Sequence, residues 1–310
     1  MNLYNFFNKL NIFKKLILIL ILFYIILATH KYFKNMYFKE NFDPDSNFTD
    51  KFTLYKNDQI YDDFYSKIYD KLVYDDNKNM FEIKELVKNT SPSKNTYILD
   101  VGSGTGHHVN LFNKMGYKAL GVDKSDAMIN QARINYPNLN FKHDDINKPI
   151  IFTANSFSHI TCLYFTIYYI KNKEEFFQNC FTWLLPGGFL VIHLANKNLF
   201  DPILPAGNPF MIVSPQTYSK ERITDTVVKF NNFEYRSNFE LIKESDKCVM
   251  HETFKNKNGN VRKHEHELYM PSQKKILSMA KNAGFVLNNT VDMVKCNHDN
   301  QFLYILQKPY

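Results

Sequence analysis

The sequence predicts an open α/β sheet of the nucleotide-binding kind, and three observations predict it. Tyr97–Val101 is a short apolar run that closes on Gly102-Ser-Gly-Thr-Gly106, which reads as a buried strand ending in a glycine turn. Helical spacing follows over His107 to Met115. A second strand, Tyr117–Asp123, then ends in an acid about twenty residues beyond the first glycine, where a ribose-binding acid belongs.

The glycine order is G-x-G-x-G rather than the G-x-G-x-x-G of a dinucleotide site, and His107 stands where that fingerprint wants glycine. A pyrophosphate needs a bare helix N-terminus, whereas here Asp100 precedes the turn. A carboxylate repels phosphate and accepts from an ammonium group, directly or through water. That charge pattern suits S-adenosylmethionine, which carries an amino-acid tail and a sulfonium but no phosphate, and disfavours a nicotinamide oxidoreductase.

Asp100-Val-Gly-Ser-Gly-Thr-Gly106, Gly121-Val-Asp-Lys-Ser-Asp-Ala-Met128 and Leu185-Pro-Gly-Gly188 together resemble a class I S-adenosylmethionine-dependent methyltransferase over roughly residues 55–309. The resemblance implies a Rossmann-like three-layer sandwich: a mostly parallel seven-stranded sheet whose last strand runs antiparallel. It implies that S-adenosylmethionine lies over Gly102, Ser103, Gly104, Thr105 and Gly106. It also implies that an acid after the third strand meets the adenine amino group, Asp144 being preferred to Asp145.

Composition bounds the rest. The chain has 310 residues, enough for one medium domain and an extension. Asn, Lys, Phe and Tyr are abundant, as in AT-rich genes of protists and their large DNA viruses. The net charge of +7 is scattered, with no arginine cluster, zinc spacing or RNA-binding aromatic pair, so nucleic acid is an unlikely partner. Cys162, Cys180, Cys248 and Cys296 lack paired spacing, and two of them lie in apolar runs and read as buried hydrophobes.

Leu16–Ala28 is uninterrupted apolar sequence flanked by Lys14, Lys15, Lys31 and Lys34. Snorkelling lysines extend such a run, so residues 1–34 are expected to be a membrane anchor with a single-pass helix over about 12–30. A cleaved signal peptide is disfavoured because Ile26-Leu27-Ala28 offers one small residue. Because S-adenosylmethionine is made in the cytosol, the catalytic part is expected to face the cytoplasm. Residues 35–56 read as a polar linker and 57–310 as the methyltransferase domain.

Asp58–Val73 reads as a helix with Ile60, Phe64, Ile68 and Leu72 on one face and Tyr61, Tyr65 and Tyr69 beside it, one of which is placed to meet cofactor or substrate. Asp123 is assigned to the ribose because Ser125 already caps the helix from Asp126. Met128 is placed against the adenine face and Lys124 along the ring. The fourth strand, Phe157–Tyr164, ends without the amide-and-proline motif of many N-methylating enzymes, and Tyr164 and Tyr168 are candidates to wall the substrate side. His193, near the end of the strand Phe189–Leu194, is the candidate general base.

Residues 196–270 read as a lid and an antiparallel insertion on the substrate side, with strands at 233–242, 247–255 and 261–270. His264 and His266 share a strand face with His251 as a cross-strand neighbour, but a solvated His/Glu face is preferred to a zinc site and no metal is expected. The expected reaction is methyl transfer to an unidentified acceptor, a small molecule or lipid. The alternatives are a catalytically inactive methyltransferase fold acting as a structural or interaction protein at a membrane, and an NAD-dependent oxidoreductase.

Overall fold

The computed structural model describes residues 11–37, 48, 50–207 and 214–310. The chain divides into two units, Met1–Pro44 and Asp45–Tyr310. In the first, α1 spans Ile12–Tyr37, 26 residues. Among the described residues no helix is long and apolar enough to cross a membrane. The uninterrupted apolar run is only Leu16–Ala28, with Lys14 and Lys15 before it and Thr29, His30 and Lys31 after it. A span needs about 17 residues at the least. The expected single-pass anchor and membrane localisation are thereby corrected.

In the second unit, β2 (Tyr97–Val101), β3 (Lys118–Asp123), β4 (Asn140–His143), β5 (Phe157–Cys162), β6 (Leu184–Ala195), β11 (Val286–Asp292) and β12 (Gln301–Gln307) form one sheet in the order β11-β12-β6-β5-β2-β3-β4. Strands β2 to β6 pair in parallel, and the last strand, β12, runs antiparallel to both neighbours, as expected. The reversal of strand order at β2 and β5 opens a crevice at their carboxyl ends, where open α/β sheets bind ligands.

Helices cover both faces. α2 (Asp63–Val73) starts where Asp62 accepts from the Tyr65 N–H at 3.1 Å, later than the expected Asp58. α3 (Asp76–Thr90) is capped by Asp75 and ends at Ser91 in a left-handed turn, just before Pro92. α4 (His107–Lys114) follows the glycine turn, and α5 (Asp126–Asn135) is capped by Ser125. α6 (Thr166–Tyr169), α7 (Lys173–Trp183) and α8 (Gln273–Asn282) complete the set. One core joins Leu99, Val101, Ile160, Phe176 and Trp183; another joins Ile83, Ile98, Val109, Phe112 and Ile305. Burying such side chains contributes roughly 1.5–3 kcal/mol each, which makes the sheet a rigid platform for its loops. Pro186–Gly188 lies inside β6, which begins ahead of the expected Phe189, and pairing with β5 is irregular there.

A second sheet has the order β1-β10-β9-β8-β7, from β1 (Phe52–Lys56), β7 (Asp225–Lys229), β8 (Phe233–Leu241), β9 (Lys247–Asn256) and β10 (Val261–Tyr269). Two of its strands differ from expectation. β1 falls in the presumed linker and pairs in parallel with β10; β7 lies ahead of the three expected strands. Of the expected lid, residues 208–213 lie outside the described residues.

Candidate active site

The glycine turn is held by the strand beside it. The N–H groups of Gly102 and Ser103 donate to the Val122 carbonyl at 2.8 and 3.1 Å. Gly104 has a φ of +52°, and a Cβ there would meet only the Tyr69 ring, at 3.8 Å, so the turn is open on that side. Gly104 N–H donates to Asp123 Oδ2 at 2.9 Å, and Ser125 N–H donates to Asp123 Oδ1 at 2.9 Å. Burial raises the Asp123 pKa, and these N–H groups offset part of the rise. Each carboxylate oxygen keeps acceptor capacity beyond these bonds.

One cavity runs over the turn. Gly102, Gly104, Asp123, Lys124, Met128 and Asp145 line one end of it. Lys124 is its single Lys or Arg among the described residues and is already paired with Asp58 at 2.6 Å and Asp145 at 3.5 Å. Asp144 turns instead to Lys142 and Lys148, at 3.1 and 3.4 Å, and does not line the cavity. The structure therefore brings Asp145 to the cavity in place of the preferred Asp144.

Four more of the expected cofactor residues sit behind the turn rather than on the cavity. Asp100 is buried; its Oδ1 accepts from the Thr161 hydroxyl at 2.7 Å, and Oδ2 has no hydrogen-bond partner. Burial raises its pKa. Ser103 is buried against Gly121, and Thr105 donates to Asp70 on α2 at 2.6 Å. Gly106 is required by packing, since a Cβ there would lie 2.7 Å from the Phe141 ring.

The expected catalytic residues separate. Tyr164 lines the cavity in a left-handed conformation, φ +54°, with the Lys78 ammonium over its ring. Tyr168 does not: it is buried, donates to the Ala195 carbonyl at 3.2 Å and accepts from the Ala195 N–H at 2.7 Å, so it pins the end of β6. His193 is also buried off the cavity, its Nδ1 3.6 Å from Glu82 Oε1. Burial pushes its pKa down to about 3. A general base must reach the proton it removes, so the geometry assigns both residues to the scaffold.

The other end of the cavity is walled by Tyr61, Tyr65 and Tyr169 together with Leu204, Phe239, Met250 and Leu268. Behind it lies a network centred on Glu252, whose place on the buried face sequence reading missed. Glu252 is 1 % exposed, yet its Oε1 accepts from the hydroxyls of Tyr65 at 3.0 Å and Tyr235 at 2.6 Å. Its Oε2 lies 3.0 Å from His264 Nδ1 and 2.8 Å from His266 Nε2. Burial alone would raise this carboxyl, but His266 and His264 outweigh it and hold the pKa well below the usual range. In sequence the signal is faint: an acid in phase with the apolar Cys248, Met250 and Phe254 on one face of β9.

The cross-strand partner of His264 is Glu252, not the expected His251, and His264 and His266 are buried rather than solvated. Glu252, His264 and His266 stand close enough to share a metal ion. Arg262 decides against one. Its Nε–H donates to His264 Nε2 at 2.7 Å, which puts the proton on Nδ1, the atom a metal would need.

S-adenosylmethionine fits the cavity's first end: an open glycine turn, a half-buried carboxylate at Asp123, and, among the described residues, no unpaired Lys or Arg for a phosphate. Comparisons agree. Residues 98–188 match the methyltransferase domain family. The chain is 23% identical over 105 residues to a probable S-adenosylmethionine-dependent methyltransferase of Mycolicibacterium smegmatis, covering 34% of this chain and 40% of that protein. It is 30% identical over 109 residues to a ubiquinone biosynthesis O-methyltransferase of Coxiella burnetii, covering 34% and 46%. The match thus spans less than half the length of either relative. A solved S-adenosylmethionine-dependent methyltransferase from Clostridium acetobutylicum superposes with a TM-score of 0.60 at 19% identity, over 79% of this chain and 98% of that one. These similarities do not support the expected protist or viral source. The chain has the Rossmann-like fold of the class I S-adenosylmethionine-dependent methyltransferases, and its residues 98–188 match a methyltransferase domain.

Proposed function

We propose that this chain is an S-adenosylmethionine-dependent methyltransferase acting on a small-molecule acceptor. The observation that carries the reading is the Gly104–Asp123 pair, hydrogen-bonded at 2.9 Å with both residues facing one cavity. When bound, S-adenosylmethionine supplies a methyl group already activated by its sulfonium. The chain's part is to bind, orient and keep out water. Asp123 holds the ribose hydroxyls, Met128 and Asp145 the adenine, and Gly102 and Gly104 let the backbone approach. Asp100, buried behind the turn and bonded by Thr161, fixes the turn beneath the amino-acid end. Tyr164 and the tyrosines of the far end shape the acceptor's place.

A lipid acceptor was favoured by the expected membrane span and loses that support. The Coxiella relative is named as an O-methyltransferase of ubiquinone biosynthesis, which is consistent with an oxygen nucleophile on the acceptor. The competing readings are an inactive fold with a structural role and an NAD-dependent oxidoreductase. Calorimetric titration of the full chain separates them. The proposal expects S-adenosylhomocysteine to bind saturably and NAD not to bind. No heat with S-adenosylhomocysteine points to the inactive fold, and binding of NAD alone to the oxidoreductase.

A further inference from the structure

We propose that the far end of the cavity takes an uncharged, largely apolar acceptor that presents a hydroxyl to Tyr169, and that Tyr169 passes a proton to His266 held by Glu252; this rests on the methyltransferase reading above. Tyr169 lines the cavity, and its hydroxyl lies 2.9 Å from His266 Nδ1. The tautomer follows from the partners. Glu252 accepts from the Tyr65 and Tyr235 hydroxyls and from His264, whose proton Arg262 fixes on Nδ1, so it acts as an acceptor and His266 donates to it from Nε2 at 2.8 Å. Nδ1 is left as a lone pair, and Tyr169 must be the donor to it. With its proton committed there and the Tyr61 hydroxyl bonded to it, the Tyr169 oxygen offers the cavity its remaining acceptor capacity only, and what it recognises is a hydrogen-bond donor.

The surroundings choose among donors. Leu204, Phe239, Met250 and Leu268 make this end apolar, and the cavity's single Lys or Arg among the described residues, Lys124, is already paired. A phosphorylated or carboxylate acceptor would find no cation, whereas a phenol or alcohol finds an acceptor oxygen. The proton balance closes within the chain. The O–H bond breaks, its electron pair stays on the acceptor oxygen as the nucleophile, and the proton goes to the Tyr169 oxygen. The proton Tyr169 held goes to His266 Nδ1, giving an imidazolium beside the Glu252 carboxylate.

Tyr169 is the catalytic residue here; His266 positions it and receives its proton, and Glu252 holds His266 in place. The groups facing His266 are Glu252 from β9, His264 from β10, Tyr169 from α6, Tyr65 from α2 and Tyr61 from the segment leading into it. Glu252 is the one among them that carries a negative charge. It is saturated by Tyr65, Tyr235, His264 and His266, so it stays fixed as the proton arrives.

The test uses 4-nitrophenol, whose phenolate absorbs visibly and whose phenol does not. It is bound to full-length protein saturated with S-adenosylhomocysteine, at a pH where the free probe is mostly neutral. The wild type is expected to show the phenolate band on binding. Tyr169→Phe removes only the hydroxyl and is expected to bind the probe while losing the band by about tenfold or more. His266→Gln is expected to lose it likewise. An equal phenolate fraction in all three proteins overturns the relay. Failure of the loaded wild type to bind the probe overturns the acceptor class. Failure to bind S-adenosylhomocysteine at all is a different result and removes the methyltransferase reading first.

Discussion

The two ends of the cavity are built in opposite ways. The cofactor end is assembled from neighbours in sequence: Gly102, Gly104, Asp123, Met128 and Asp145 all follow β2, β3 or β4. Its polar contacts are mostly backbone N–H groups on carboxylates. The acceptor end is assembled from distant segments around one buried acid. Glu252 on β9 gathers Tyr65, 187 residues away, with Tyr235, His264 and His266. The first end is specified by local backbone geometry, which the structure can spare little of without losing the ligand. The second is specified by a hydrogen-bond network, which it can spare little of without losing the fold. Substitutions should therefore separate affinity from stability.

The largest expected effect is at the acceptor end. Glu252→Ala strands four buried hydrogen-bond donors, the hydroxyls of Tyr65 and Tyr235 and the ring N–H groups of His264 and His266. It is expected to cost about 3–5 kcal/mol in urea unfolding. A loss below about 1 kcal/mol would mean that the network does not hold the second sheet.

Next is a pH effect belonging to the first sheet. Burial pushes His193 down to about 3 and His159 to about 4. Unfolded, each titrates near 6.5. Between these limits the unfolded chain takes up protons that the folded chain refuses, so stability is full above about 6.5 and falls as the pH drops. The loss is roughly 2 kcal/mol per histidine by pH 5. Asp100 and Asp123, raised by burial, act in the opposite sense toward the acid end of that window. His193→Leu should flatten the slope measured by urea unfolding at pH 7, 6 and 5; an unchanged slope would show that His193 is hydrated or paired when folded.

At the cofactor end Asp123→Ala is expected to weaken S-adenosylhomocysteine at least tenfold, about 1.4 kcal/mol, in calorimetry. Its effect on unfolding should be well below that of Glu252→Ala. If it lowered stability and left affinity intact, the contrast between the two ends would be reversed. The smallest effect is expected for Lys124→Ala. Its ion pair with Asp58 is solvent-exposed, and exposed pairs are worth about 0–1 kcal/mol. Loss of ligand binding in that variant would give Lys124 a larger part than its geometry suggests.

The same contrast explains what the sequence disclosed. Tyr97–Val101, the glycine turn and Asp123 were legible because strand, turn and acid are set by neighbouring residues, and Ser125 does cap α5. The choice between Asp144 and Asp145 was not, because it depends on Lys142 and Lys148 drawing one carboxylate away. Glu252 was hidden by register. The Asn256–Asn260 turn pairs Lys255 with Val261, which sets Glu252 rather than His251 opposite His264. A slip of one residue in such a pairing exchanges the faces. β1 was hidden by distance, since Tyr55 pairs with His264 far along the chain. His193 and Tyr168 read as catalytic because they lie near strand and helix ends, but only the packing shows His193 buried and Tyr168 bonded to Ala195, both off the cavity.

Crystallising the full chain with S-adenosylhomocysteine tests the central claim most directly. The account predicts electron density over Gly102 and Gly104 with both ribose hydroxyls within hydrogen-bond distance of the Asp123 carboxylate. Density elsewhere, or Tyr69 and Thr166 closed over the glycine turn with Asp123 bonded only to the backbone, would contradict it.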